Sequence, residues 1–104
     1  MLNGICIKIH RYPKCSLVAI CDQELINKTF REGRLKLEIK KEFYDDRRCS
    51  IEEAIDILDR AVQANLVGKK IVKAAIKHEL IDPRAVIQID GIPHVQIMKL
   101  DLLN

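Results

Sequence analysis

The stretch SIEEAIDILDRAVQANLVGKKIVKAAIKH, residues 50–78, carries the reading on which the fold turns. Ser50 with Glu53 three residues on has the form of a capping box, in which each side chain accepts from the other residue's backbone amide. Behind it Ile51, Ala54, Ile55, Leu58, Ala61 and Val62 recur at helical spacing. Asn65-Leu66-Val67-Gly68 interrupts the pattern, and Ile71, Val72, Ala75 and Ile76 resume it as far as His78. The spacing predicts two amphipathic helices joined by a short break, an αα-hairpin.

On either side the period changes to two. Ile5, Ile7 and Ile9 alternate with Cys6, Lys8 and His10, which predicts a strand with one buried face. Tyr12-Pro13-Lys14-Cys15 reads as a turn, because proline fixes φ and has no amide to donate. Leu17 to Cys21 is the expected partner strand, followed by a short helical turn with Asp22 as its N-cap. Thr29 to Arg34, punctuated by Gly33, reads as a loop, and Leu35, Leu37 and Ile39 as a third strand with one wet face. After Asp82-Pro83, residues 86–89 are strand-like, Asp90-Gly91 is a turn, and Val95 to Leu100 is a last strand. The expected order is β-β-short α-β-α-α-β-β. It implies an α+β fold, a small mostly antiparallel sheet covered on one face by the central helix hairpin. The chain has 104 residues and no linker or repeat, so residues 1–104 form one expected domain.

Composition narrows the class of protein. Apolar residues make up 48% and charged residues 32%, which is a globular and not a disordered balance. No apolar run reaches the roughly 20 residues that span a bilayer, and residues 1–12 lack the unbroken apolar stretch of a signal peptide. A cytoplasmic protein with no membrane partner is expected. Cys6, Cys15, Cys21 and Cys49 are then expected as reduced structural thiols, and neither disulfide pairing nor metal binding is settled by their spacing. There is no Cys-x-x-Cys knuckle and no paired-histidine spacing, so no metal set and no cofactor are assigned.

Charge is more informative in its distribution than in its sum of +3. Glu52, Asp56 and Asp59 share one stripe of the first helix, and Lys69, Lys70, Lys73 and Lys77 one stripe of the second. Two solvated faces are one reading. The other is phosphate binding: Gly68 opens the second helix, whose first amides lack intrahelical partners and attract anions, with Lys69 and Lys70 adding charge. Leu66 to Ile71 is weakly similar to the turn of a helix-hairpin-helix nucleic-acid module, although only one glycine is present. A lone Gly-Lys is not a P-loop, so nucleotide hydrolysis by that route is excluded. With Tyr12, Phe30, Phe43 and Tyr44 the only aromatics, a broad base-stacking platform is not expected, and Phe43 and Tyr44 read as packing at a strand end. A thiol enzyme is a further class. Cys21 sits at a strand-to-helix junction, where its pKa can fall, and His94 would be the base. Asp22 beside Cys21 opposes thiolate formation.

Several loop stretches then collect into a pattern. Cys21-Asp22-Gln23-Glu24-Leu25, Thr29-Phe30-Arg31-Glu32-Gly33, Phe43-Tyr44, Ala64-Asn65-Leu66-Val67-Gly68 and Gly91-Ile92-Pro93-His94-Val95-Gln96 follow in that order. The chain resembles the archaeal domain-of-unknown-function family 424, a family of uncharacterised conserved proteins, over nearly its whole length. The resemblance implies a compact archaeal cytoplasmic α/β protein and no particular activity. It departs from the expected pattern at Asp45-Asp46-Arg47-Arg48, where relatives are expected to carry glycines. Independently, Arg31, Asn65, His94 and Gln96 are polar residues that turn chemistry alone does not explain. If they share a pocket with Cys21, Arg31 would hold an anion bidentately. The leading expectation is a non-catalytic binding module for structured RNA or a ribonucleoprotein, using Gly68, Lys69, Lys70, Lys73 and Arg31. A protein-interaction adaptor with complementary charged helix faces is the second, and a small enzyme built on Cys21 and His94 the third.

Overall fold

The computed structural model describes residues 4–99. Eight strands are present: β1 (Ile5–Arg11), β2 (Ser16–Asp22), β3 (Thr29–Glu32), β4 (Leu35–Glu38), β5 (Arg47–Cys49), β6 (Gln63–Val67), β7 (Ile87–Ile89) and β8 (Ile92–Met98). Three helices join them: α1 (Lys41–Tyr44), α2 (Ile51–Arg60) and α3 (Lys69–Lys77). Six strands form one sheet in the order β5-β1-β2-β6-β8-β7, and β3 and β4 pair separately. In the large sheet β2 and β6 run parallel, and the other neighbours are antiparallel. The fold is α+β.

The helix hairpin expected over residues 50–78 does not form. Residues 63–67 are strand β6, in the middle of the sheet between β2 and β8. Ala64 and Leu66 are buried on one side and alternate with half-exposed Gln63 and Asn65, a period-two pattern too short to stand out between two helical patterns. The chain therefore runs α2-β6-α3, and α2 stops at Arg60. Its capping box forms as read, with Glu53 N donating to Ser50 Oγ at 3.1 Å and Ser50 N to Glu53 Oε1 at 3.4 Å.

The sheet is covered on both faces, not one. On the first, Ile5, Ile7, Val18, Ile20, Leu66 and Val95 pack against Leu58, Ile71 and Ala75 of α2 and α3. On the second, Cys6, Ala19, Cys21 and Val67 pack under Leu25, Leu37, Ile39 and Tyr44. Each fully buried aliphatic side chain contributes roughly 1.5–3 kcal/mol, so both layers matter. The segment read as a loop over Thr29 to Arg34 is strand β3 and a tight turn. Gly33 takes φ +60° there and closes the β3–β4 hairpin that forms the second cover. Phe43 and Tyr44 lie in the one-turn helix α1 rather than at a strand end. The last strand starts at Ile92, earlier than expected, and so takes in His94 as well as Gln96. Its expected last residue, Leu100, lies outside the described residues.

Candidate functional site

Asp22 is an expected helix cap, but of a different helix. Its side chain makes no bond to the Gln23–Leu25 turn that follows it. Instead its carboxylate accepts from Lys70 N at 2.8 Å and Ile71 N at 3.0 Å, at the start of α3. The residue is 2% exposed. Burial pushes its carboxyl above the ordinary range, while the two amides of α3 pull it down. Gly68 takes φ +122° beside it, and a Cβ at that position would land on the Asp22 carboxylate. Lys70 Nζ is paired with Glu24 at 3.4 Å. The anion that the Gly68 end attracts is thus the protein's own, which corrects the expected phosphate site at Gly68 and Lys70. Lys69 and Lys73 remain exposed and rim a shallow groove of about 360 Å³ floored by Val72, Ile76, Val86 and Pro93.

The thiol expectation fails on geometry. Cys21 is fully buried, and burial foremost, then the neighbouring Cys6 and Asp22, push its thiol far above the ordinary range. In register, Cys21 pairs with Val67 and Val67 with His94, so a strand separates the two. Two inter-strand steps amount to about 10 Å. Arg31 stands on the exposed side of β3, opposite Lys36. Among the described residues it makes no hydrogen bond or ion pair with Asn65 or His94. The expected four-residue pocket therefore loses Arg31, and Cys21 lies sealed beneath it.

Asn65, His94 and Gln96 do come together. Asn65 of β6 faces Gln96 of β8 directly in register, on the face opposite α2 and α3. Its Oδ1 accepts from Tyr44 Oη at 3.1 Å and from His94 Nε2 at 2.9 Å. Burial lowers the His94 pKa, so the ring is neutral at pH 7 and its Nε2–H is the donor. With Oδ1 doubly engaged, the Asn65 amide nitrogen is left to donate elsewhere. Beside this network lies an open depression of about 410 Å³, walled by Leu17, Gln63, Asn65, Gln96 and Met98. Among the described residues no charged side chain lines it. Three carboxamides in an uncharged bowl with two apolar walls suit a flat ligand with mixed donors and acceptors.

The N-terminal ends of β2 and β6 hold this bowl, and the β1–β2 turn stands at the same end of the sheet. There Tyr12 is 52% exposed, with Arg11 and Lys14 also exposed on either side of it. Leu17, Gln63, Met98 and Tyr12 are site residues that the sequence reading did not assign. The signal for Gln63 was its spacing of two from Asn65, visible once that segment is read as a strand.

A mixed six-stranded sheet with helices on one face and a hairpin on the other, bearing a carboxamide-lined bowl, defines a small α+β domain without an assigned chemistry. The chain belongs to the family described as protein of unknown function (DUF424), whose model matches residues 10–100. It is also similar in fold to an uncharacterised conserved protein from Methanopyrus kandleri, an archaeon. The TM-score is 0.77 at 20% identity, over 96% of this chain and 97% of that one. None of the curated proteins matches it. Among the described residues no helix is long and apolar enough to cross a membrane.

Proposed function

We propose that this protein is a non-catalytic module that binds RNA through an unpaired base, seated in the bowl formed by Gln63, Asn65 and Gln96. The observation that carries the reading is the uncharged, carboxamide-lined wall of that bowl. Amide side chains offer a donor and an acceptor together, which matches the hydrogen-bonding edges of bases, and unpaired bases in loops and bulges expose those edges. Leu17 and Met98 supply apolar contact for a ring face. Exposed Tyr12, between Arg11 and Lys14, supplies a stacking surface at the same end of the sheet. A second reading, an adaptor for acidic peptides, is favoured by the apolar groove that Lys69 and Lys73 rim.

The test is fluorescence anisotropy with a labelled RNA hairpin that carries an unpaired loop, against a fully paired duplex of equal length. Gln63→Ala with Gln96→Ala removes two walls and spares the Tyr44–Asn65–His94 network. The expected result is at least about tenfold weaker hairpin binding in the double variant, and little duplex binding by either protein. Equal affinity for hairpin and duplex, or an unaffected variant, would overturn the base-binding reading.

A further inference from the structure

On the opposite face of the same sheet end, the structure places a second depression. Ile9, Val18, Ile57 and Ala61 floor an open groove of about 320 Å³, and Arg11, Arg47 and Arg60 reach into it with Ser16. The three arginines come from β1, β5 and α2, elements brought together only by the fold. Arg11 and Arg47 are exposed, and among the described residues neither forms a hydrogen bond or ion pair with a carboxylate. Arg60 pairs with Asp56 at 2.8 Å, with both side chains 71% exposed. An exposed pair of that kind is worth roughly 0–1 kcal/mol, so Arg60 can exchange partners readily.

We infer that this groove is a phosphate-binding track, holding the backbone of the RNA whose base enters the carboxamide bowl. This rests on the function proposed above and extends it. Guanidinium groups bind phosphate oxygens bidentately, and the hydroxyl of Ser16 adds a donor. Among the described residues the floor itself is apolar, and the carboxylate that competes is that of Asp56, at Arg60. The geometry links the two sites through one strand: along β2, Ser16 and Val18 face the groove while Leu17, between them, faces the bowl. The β1–β2 turn, with Tyr12 and Lys14, stands at the edge between the two faces. An RNA strand that rounds this turn meets arginines on one side, an aromatic ring at the corner and carboxamides on the other. Phosphate contacts supply affinity and base contacts supply selectivity.

The Arg11→Gln/Arg47→Gln variant tests the track, because both positions are exposed and the substitution removes the charge while keeping a polar side chain. Anisotropy with the loop-bearing hairpin is measured across a salt series, with inorganic tripolyphosphate titrated in parallel and followed by NMR of the arginine side chains. Each lost contact to single-stranded RNA makes the log–log salt slope shallower by about 0.7, so the variant is expected to lose about 1.4. Its preference for hairpin over duplex is expected to persist. RNA binding with an unchanged slope would overturn the track and leave the base site standing. If the wild type binds no RNA, the base-binding function falls. In that event, saturable tripolyphosphate shifts at Arg11 and Arg47 would retain the groove as a phosphate site, and their absence would remove it.

Discussion

At one end of the sheet, where β2 and β6 finish, the free amides of α3 and the ammonium of Lys70 face Asp22 and Glu24 of the same chain. At the other end, where those strands begin, Arg11 and Arg47 face a groove and three carboxamides face a bowl, and among the described residues the two arginines have no acidic partner and the bowl no charged lining. The first end is a closed circuit. Buried donors that go unanswered cost about 1–3 kcal/mol each, so a fold tends to answer them internally. Among the described residues no buried side-chain nitrogen or oxygen lacks a partner. What the fold leaves unanswered is confined to the surface, and the end with exposed arginines, Tyr12 and the bowl is where external partners are to be sought. A positive helix terminus is therefore a poor guide to ligand binding until the residue opposite it is known.

The sharpest way to break the comparison is at Gly68. An alanine there meets the Asp22 carboxylate and must hold a φ of +122°, which L side chains rarely adopt. Urea unfolding of Gly68→Ala is expected to show a loss of about 3 kcal/mol or more. A loss below about 1 kcal/mol would mean that Asp22 does not seat against α3 as described. Removing the carboxylate itself is the next largest effect. Asp22→Ala leaves two amides of α3 without an acceptor and is expected to cost about 2 kcal/mol. It also opens the site that Asp22 fills. Added phosphate should then raise the melting temperature of Asp22→Ala by mass action more than it raises the wild type's, whose response comes from the arginine groove alone. Equal responses would show that the closed end was never an anion site in waiting.

Most of the fold was legible locally. The β1–β2 hairpin, the capping box at Ser50 and the helical faces of α2 and α3 follow from periods and caps that depend on near neighbours. Strand β6 was not, because five residues between two helices carry little period of their own, and Asn65 and Gly68 read as helix breakers. The error had consequences for the site. Read as a turn, Asn65 and Gly68 seem to open a helix toward solvent; as the end of a central strand, they sit between β2 and β8. That in turn brings Asp22 of β2 to the α3 terminus, a contact 48 residues apart in sequence. That His94 and Gln96 share a face was legible from spacing, since two apart on a strand means one face; the place of Asn65 beside them was not, because it depends on strand β6. The arginine groove was not, because Arg11, Arg47 and Arg60 meet only through the order of strands.

The smallest predicted effect concerns the proton on His94, and it sharpens the account of the bowl. Burial holds the ring's pKa below its ordinary value of 6.5. Well above pH 6.5 neither the folded nor the unfolded chain binds a proton there, so this residue gives stability no slope. As pH falls through 6.5 the unfolded chain takes up the proton first, and the folded state loses stability until pH reaches the lower folded value. Melting temperature should therefore drop on going from pH 7.5 to 5.5. His94→Gln can still donate to Asn65 Oδ1 but cannot titrate, and its melting temperature should change less over the same interval. Should the two proteins show the same slope, His94 would be an ordinary solvated histidine. The neutral Nε2–H that fixes Asn65, and with it the orientation of the carboxamide toward the bowl, would then have to be abandoned.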